Sequence, residues 1–456
     1  MTQTKPQEAT SFTSKWKTYP AYKDSGVEWL GEIPEHWEIW KIAHAFKQIG
    51  SGTTPLTSHE DYYEGDIPWV NTSELRDGPI FDTAKKLTKR ALLDLTPLRI
   101  YPPGTLLVAL YGATIGKVGI LEIPATTNQA CCALSELNYL SVKFAFYWFL
   151  AYRQQLILLA SGGSQPNISQ DIIRSLRISA PPLPEQCAIS SFLDRETAKI
   201  NTLVAKKERL IELLQERRSA LISHAVTKGL DPTVKMKDSG VEWLGEIPEH
   251  WEVRRLKYIA SILRGKFSHR PRNDPRMYDG PYPFIQTGDI TATTKYITSY
   301  QQTLNETGFA VSKQFPSRTL VMTIAANIGD LAILQFPACF PDSIVGFVPT
   351  PDVALDYLYY NLTSMKPEMM STATLNTQLN LNVERIGGLI TACPPIREQI
   401  TIASYLEHET AKIDALISRI RDGIEKLKEY STALISAAVT GKIDVRGENV
   451  ITEDEM

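Results

Sequence analysis

Apolar positions recur along this chain in two rhythms, and each rhythm occurs twice. Short runs rich in Val, Ile, Leu and aromatic residues, punctuated by Gly and Pro, read as strands: "DIPWVNTSEL" answers "PYPFIQTGDI", "GTLLVALYGATIGKVGIL" answers "RTLVMTIAANIGDLAIL", and "TTNQACCALS" answers "PDSIVGFVPT". Ahead of them, "WEIWKIAHAFKQIGSG" and "WEVRRLKYIASILRGK" each predict a short amphipathic turn or helix leading to a glycine-containing loop. Helical stretches follow near Val142 to Ala160 and near Ala354 to Met370. This order predicts an α+β (mixed α/β) globule of about 150 residues, made twice.

The second rhythm is a heptad. Leu193, Ile200, Leu214 and Leu221 are spaced by sevens with Lys207 in the middle position, and Leu203 and Leu210 form the companion seam. Further on, Leu406, Ile413, Ile420, Leu427 and Leu434 make an unbroken series with Leu416 and Tyr430 beside it. Helices are expected at 185–228 and 398–442, each about 40 residues and ~60 Å long. Prolines in "APPLPEQ" and "CPPIREQ" stand just ahead of both as rigid starts. Two equal copies in one chain favour an antiparallel pair over two independent amphipathic helices, with poorer packing at Lys207 and Gly423.

The duplication is literal in places. "KDSGVEWLGEIPEHWE" runs without a mismatch from Lys23 to Glu38 and from Lys237 to Glu252, and "PPLPEQCAISSFLDRETAKI" at Pro181 returns as "PPIREQITIASYLEHETAKI" at Pro394. The chain is one unit written twice, with variable segments at 16–180 and 234–392. Between the copied blocks the hydrophobic rhythm is shared and nearly every polar residue differs. A shared frame with a private surface suits a doubled reader of two different targets, whereas a doubled catalytic domain should repeat its chemical residues.

Composition narrows the chemistry. A net charge of -3 over 456 residues argues neither for nor against nucleic acid. Locally, Arg254, Arg255, Lys257, Arg264, Lys266, Arg270, Arg272 and Arg276 face the single acid Asp274 in their own stretch, and an acidic tail, 443–456, reads as disordered. Five cysteines without a CxxC pair indicate neither a disulfide framework nor a cysteine-ligated zinc, which fits a reducing cytoplasm. The N-terminus lacks a signal-peptide core. The apolar run from Phe144 is broken by Arg153, Gln154 and Gln155, so Tyr147, Trp148 and Tyr152 read as core aromatics of a buried helix rather than a membrane belt.

"GATIGKVG" has one residue too few for a phosphate loop and Val118 where Ser or Thr should stand; its copy "AANIGDLA" lacks Gly112 and Lys117, so it reads as a turn between strands. His36 and His250 recur, and read as capping and packing residues beside Trp37 and Trp251. Asp24 and Glu28 read as surface or cap positions. No catalytic, cofactor-binding or metal constellation is found.

"SGVEWLGEIPEHWE", a variable segment, "PPLPEQ", a long helix bearing "ETAKIN" or "ETAKID", "ALISHAVTKG" or "ALISAAVTGK", and then the series again: over nearly its full length the chain resembles the specificity subunit of type I restriction-modification systems. The resemblance implies two pseudo-symmetric DNA target-recognition domains held apart by two long antiparallel coiled-coil helices. It implies a non-catalytic subunit that directs adenine methylation by two modification subunits and cleavage by restriction subunits. S-adenosylmethionine would belong to the former, and ATP with magnesium to the latter. Reading duplex DNA needs amides for adenine, Arg or Lys for guanine, and cations for phosphate. Candidates in the first half are Thr53, Thr54, Asn71, Thr72, Ser73, Lys85, Lys89, Thr114, Lys117, Gln165 and Asn167. In the second they are Lys266, His269, Arg270, Arg272, Gln286, Thr287, Asp289, Asn327, Gln378 and Asn380. Asn71 and Gln286 are expected near base edges, and Arg270 with Arg272 at phosphate. Two other readings stand beside this one: a non-catalytic adaptor binding carbohydrate or peptide, whose binding should not fall with salt, and a lone methyltransferase or nuclease, which should show a cofactor loop or an acidic metal cluster.

Overall fold

The computed structural model describes residues 16–160, 166–325, 327–372, 374–375 and 379–447. It divides into two compact units, one taking the chain up to Lys207 and again from Asp422 onward, the other Glu208–Arg421. Unit 1 carries a five-stranded sheet in the spatial order Phe46–Gly50, Cys131–Leu137, Leu106–Ala109, Val118–Leu121, Gly78–Ile80, antiparallel except for the last pair. Unit 2 repeats order and sense with Ala260–Arg264, Ile344–Pro349, Leu320–Thr323, Leu331–Leu334 and Tyr296–Ile297. Strand alternation explains why the central strands are apolar throughout. Leu106 and Val108 face one core while Leu107 and Ala109 face a second, and Leu320 and Met322 oppose Val321 in the same way.

Over the first face of the unit 1 sheet lies α1 (Val142–Leu159), with Tyr147, Trp148 and Tyr152 buried in the core as expected. No helix among the described residues is long and apolar enough to cross a membrane. The helical stretch expected near Ala354 to Met370 is two helices, because the chain breaks at Met365, after which Pro367 cannot donate to the preceding turn.

The two long helices are α2 (Leu183–Lys228) and, reserving α3 for Leu355–Ser364, α4 (Ile396–Val439). Each starts two residues before the expected position, at Leu183 and Ile396; the first turn needs no internal donors, so Pro184 is accommodated within it. α4 ends three residues early: Gly441 adopts φ 72° and Lys442 N–H bonds back to Ala437 at 2.8 Å. The expected tail is ordered at its start, where Ile443 and Val445 are buried and Asp444 N–H donates to Lys17 at 2.7 Å; residues 448–456 lie outside those described. In unit 1, Ile189, Phe192 and Leu193 of α2 pack with Leu434, Ala437 and Ala438 of α4, and in unit 2 Ile222, Ala225 and Val226 pack with Ile402, Ala403 and Leu406. The start of one helix lies beside the end of the other in each unit, so the pair is antiparallel.

The companion seam was expected one position too early. Leu203 and Leu210 are 43% exposed and Leu416 is 45% exposed. Covered positions step by four and then three, through Leu406, Thr410, Ile413, Ile417, Ile420 and Ile424 on α4, with Val204 and Ile211 as half-buried companions on α2.

The literal repeats build one joint in each unit. Glu185, in the first turn of α2, accepts the Tyr19 hydroxyl at 2.6 Å and the Trp37 indole N–H at 3.0 Å, and lies 2.7 Å from His36 Nε2. Burial and this carboxylate push the Tyr19 hydroxyl well above the ordinary tyrosine range. Glu398 lies 2.9 Å from His250 in the same manner. The two histidines are therefore partners of helix-start carboxylates 149 and 148 residues away, beyond the capping and packing role expected of them. Gln186 accepts the Ser141 N–H at the start of α1 (2.7 Å) and donates to the Pro181 carbonyl (2.8 Å); Gln399 does the same for Ala354 and Pro394, both at 2.8 Å. Tyr147 and Tyr360 each donate to the acid one face along, Asp194 at 2.7 Å and Glu407 at 2.9 Å. A β-carbon at Gly441 would overlap Pro34, which fixes glycine where the end of α4 meets the "PEHW" segment.

Candidate nucleic-acid interface

In unit 1 four strands, Phe46–Gly50, Tyr63–Val70, Leu106–Ala109 and Thr126–Thr127, release the chain into loops that touch one another. Gly52 N–H donates to Thr127 Oγ1 (3.0 Å), Trp69 Nε1 to the Thr53 carbonyl (3.2 Å), and Asn128 N–H to the Val70 carbonyl (2.9 Å). The Thr54 hydroxyl donates to Gln129 Oε1 at 2.6 Å. Thr114 and Lys117 lie in the turn after Ala109, and Asn167 bridges to Tyr111 beside that turn. Lys85 joins the edge through its carbonyl, which accepts Trp69 N–H. This arrangement brings together Thr53, Thr54, Asn71, Thr72, Ser73, Lys85, Thr114, Lys117 and Asn167. Lys89 is not among them. It opens a short helix at the other end of the Tyr63–Val70 strand, where Thr88 N–H is held by the Tyr62 carbonyl.

Several candidates are already partly engaged. Asn71 caps the short helix Thr72–Glu74, accepting Ser73 N–H at 3.0 Å while its own N–H donates to Glu74, so its carboxamide NH₂ is the group left to face a ligand. The Thr114 hydroxyl donates to the Tyr111 carbonyl at 2.8 Å. Lys85 and Lys117 have no ion-pair partner among the described residues.

In unit 2 the Ala260–Arg264 strand leads into a loop held by Lys266 N–H on the Phe340 carbonyl (3.0 Å) and Ser268 N–H on the Val311 carbonyl (3.1 Å). The expected basic stretch is partly neutralised, by Asp342 and Asp352 from distant segments and by its own Asp274. Asp342 pairs with Arg272 and lies 3.7 Å from Arg270, and its carbonyl accepts Arg264 Nε at 2.6 Å. Arg254 pairs with Asp352 at 2.6 Å, and Arg276 with Asp274 at 2.8 Å. The Arg276 guanidinium and backbone N–H hold the Asp274 carboxyl far below the usual range. His269 Nε2 lies 2.9 Å from that same carboxylate. Lys266 is exposed and has no ion pair among the described residues.

Gln286 donates to Gln302 Oε1 at 2.8 Å, and its N–H is capped by Asp289, so Asp289 serves the turn of the short helix Thr287–Thr291. Asn327 Nδ2 donates to Thr291 at 3.2 Å, which brings it to the same edge. Asn380 lies in a two-residue strand paired with Thr374–Leu375, and Gln165 and Gln378 fall outside the described residues. Sequence reasoning missed Gln129, Asp342 and Gln302. The first two were within reach, because they stand 213 residues apart, the spacing of the copied helices. Among the described residues no group of three His, Cys, Asp or Glu side chains could hold a metal ion.

The family model for the type I restriction modification DNA specificity domain matches the chain twice, over residues 34–213 and 248–426. The MjaVIII specificity subunit of Methanocaldococcus jannaschii is 23% identical over 428 residues, covering 91% of this chain and 95% of the relative. The EcoKI specificity subunit of Escherichia coli is 21% identical over 448 residues, covering 92% of each. In fold, the chain matches one from a structural study of complex assembly and conformational transition of the type I R-M system, with a TM-score of 0.71 at 16% identity over 91% of this chain and 99% of that one. The HsdS subunit from Thermoanaerobacter tengcongensis matches with a TM-score of 0.51 at 14% identity, over 90% of this chain and 98% of that one.

Proposed function

Since the chain belongs to the type I restriction-modification DNA specificity family, as a non-catalytic specificity subunit, we propose that each unit reads one half of an asymmetric bipartite duplex through its strand-end loops. The recognition domains are 16–180 and 234–392, and the long helices between them set the distance between half-sites. One observation supports this most: a constant joint carries two different reading edges. Glu185, Gln186 and Tyr147 recur as Glu398, Gln399 and Tyr360, and their contacts with His36, Ser141 and Asp194 recur with His250, Ala354 and Glu407. At the edges, by contrast, Thr54 with Gln129 gives way to Arg272 with Asp342, and Lys117 to Asp330.

Asn71 and Gln286 supply amides near base edges, while Lys85, Lys117 and Lys266 supply phosphate contacts that fix register. Two modification subunits carry S-adenosylmethionine and methylate adenine at the site this chain selects, and restriction subunits bring ATP, magnesium and cleavage. Acting on genomic DNA, the assembly works in the cytoplasm. The test is methyl transfer to genomic DNA by the chain alone, by the modification subunit alone and by the two together. Transfer should require both, and affinity for duplex should fall steeply with salt through counterion release. Methyl transfer by the isolated chain would overturn the proposal.

A further inference from the structure

At the reading edge of each unit, one side chain ties the loop after the first sheet strand to the loop before its antiparallel neighbour. In unit 1 that side chain is Gln129, which accepts the Thr54 hydroxyl at 2.6 Å. In unit 2 the residue 213 positions later is Asp342, which pairs with Arg272. The fold is the same at the two places and the chemistry is not.

We propose that Arg272, oriented by Asp342, reads a guanine in the half-site of unit 2, with Asp342 as its positioning residue. This rests on unit 2 being a DNA reader, and it refines the expectation that Arg270 and Arg272 serve phosphate alike. The two arginines are held differently. Arg270 Nη1 is turned back onto the Phe267 and His269 carbonyls, both at 2.8 Å, and its Nη2 lies only within 3.7 Å of Asp342, whereas the Arg272 side chain hydrogen-bonds Asp342 through Nη2 and keeps its other donors for a partner. Its side chain is 46% exposed. A carboxylate beside a guanidinium offsets part of the charge that would draw phosphate, yet it fixes the plane of the fork. A fixed fork loses less freedom on binding, and its two parallel N–H groups match guanine O6 and N7 in the major groove. A phosphate also accepts the fork, but its oxygens can be met from many directions, so a fixed plane adds less there than at the two coplanar acceptors of guanine.

The experiment uses the assembled complex of this chain with its modification subunit, whose bipartite target is first mapped by adenine methylation. Methylation rates are then compared on duplexes in which each half-site position is replaced in turn, for wild type, Arg272→Lys and Asp342→Asn. Arg272→Lys keeps the charge and loses the fork, and Asp342→Asn keeps the shape and loses the anion. Both variants should relax one and the same guanine in the unit 2 half-site, lowering discrimination there from roughly ten- to hundredfold to within about threefold. Preferences at the unit 1 half-site should be unchanged, which also reports that the chain is folded, and the salt slope should stay the same. A uniform loss on every duplex, with the salt slope reduced by about one, would make Arg272 a phosphate contact and overturn the proposal. So would relaxation at different positions by the two variants. A wild-type complex with no target preference would remove the DNA-reading function itself, a result distinct from either.

Discussion

A β-carbon at Gly423 would lie 3.5 Å from Lys207 Nζ, so the two residues that interrupt the heptad series face each other. Both are half-buried while Leu214 and Ile424 nearby are buried. Glycine in a helix interior is disfavoured by about 1 kcal/mol relative to alanine, and a methyl group at 3.5 Å is an ordinary contact. Gly423→Ala should stabilise the protein by about 0.5–1 kcal/mol in urea unfolding, and adding Lys207→Leu should raise the midpoint further. A lower midpoint for Gly423→Ala would show that the helices meet elsewhere.

The two joints should differ in strength. Glu185 is 6% exposed and satisfies the Tyr19 hydroxyl and the Trp37 indole, whereas Glu398 is 31% exposed and the buried Trp251 N–H has no hydrogen-bond partner among the described residues. Thr233 stands 214 residues on from Tyr19 and does not replace its hydroxyl at the joint. Glu185→Ala strands two buried donors and should cost about 2–4 kcal/mol. Glu398→Ala should cost under about 1 kcal/mol. Equal losses by calorimetry would contradict this.

Lys295 substitutes for a cation that unit 2 lost. In unit 1 Lys143 meets Asp194 at 2.6 Å; 213 residues later stand Asp356 and Glu407, two acids. Lys295 pairs with both, lying 2.9 Å from Asp356 and about 5 Å from the Tyr296, Tyr359 and Tyr360 rings. Burial opposes its charge, but the carboxylates outweigh burial and raise its pKa above the lysine range. The pair therefore stabilises fully below the ordinary lysine pKa of about 10.4 and weakens only as pH rises through the higher folded value. Lys295→Met should cost about 1–3 kcal/mol, less than a fully buried pair because both acids are partly exposed. Adding Asp356→Lys, which restores the unit 1 pattern, should recover at least half of that loss in chemical denaturation.

Lengthening both helices tests the spacing. One heptad inserted after Leu210 and one after Gly423 keeps the seams in phase and adds about 10 Å at the helical rise. Along duplex DNA this is about three base pairs, turned by roughly 100°. The methylation map should show a longer spacer, slower modification and unchanged half-sites. Retention of the original spacer alone would mean that the helices do not set it.

How much was legible follows from where each partner lies in the chain. Val/Ile/Leu runs around Leu106 and Leu320 gave the strands, because their own periodicity suffices. The heptads gave two long helices but not which companion stripe is covered: Leu203 and Val204 are both apolar, and a partner more than two hundred residues away decides between them. The pairings of His36 with Glu185 and of Arg272 with Asp342 join residues 149 and 70 apart, and no local pattern announces such a partner. The capping roles of Asn71 and Asp289 are readable locally, since an acid three residues after a capping amide is a helix-start signal.

The most direct test replaces residues 253–393 of unit 2 by residues 39–180 of unit 1, leaving the helices in place. Its methylation map, made with the modification subunit, should show a target built from two copies of the unit 1 half-site, with the unit 2 half-site gone. An unchanged asymmetric target would contradict recognition of separate half-sites by separate units.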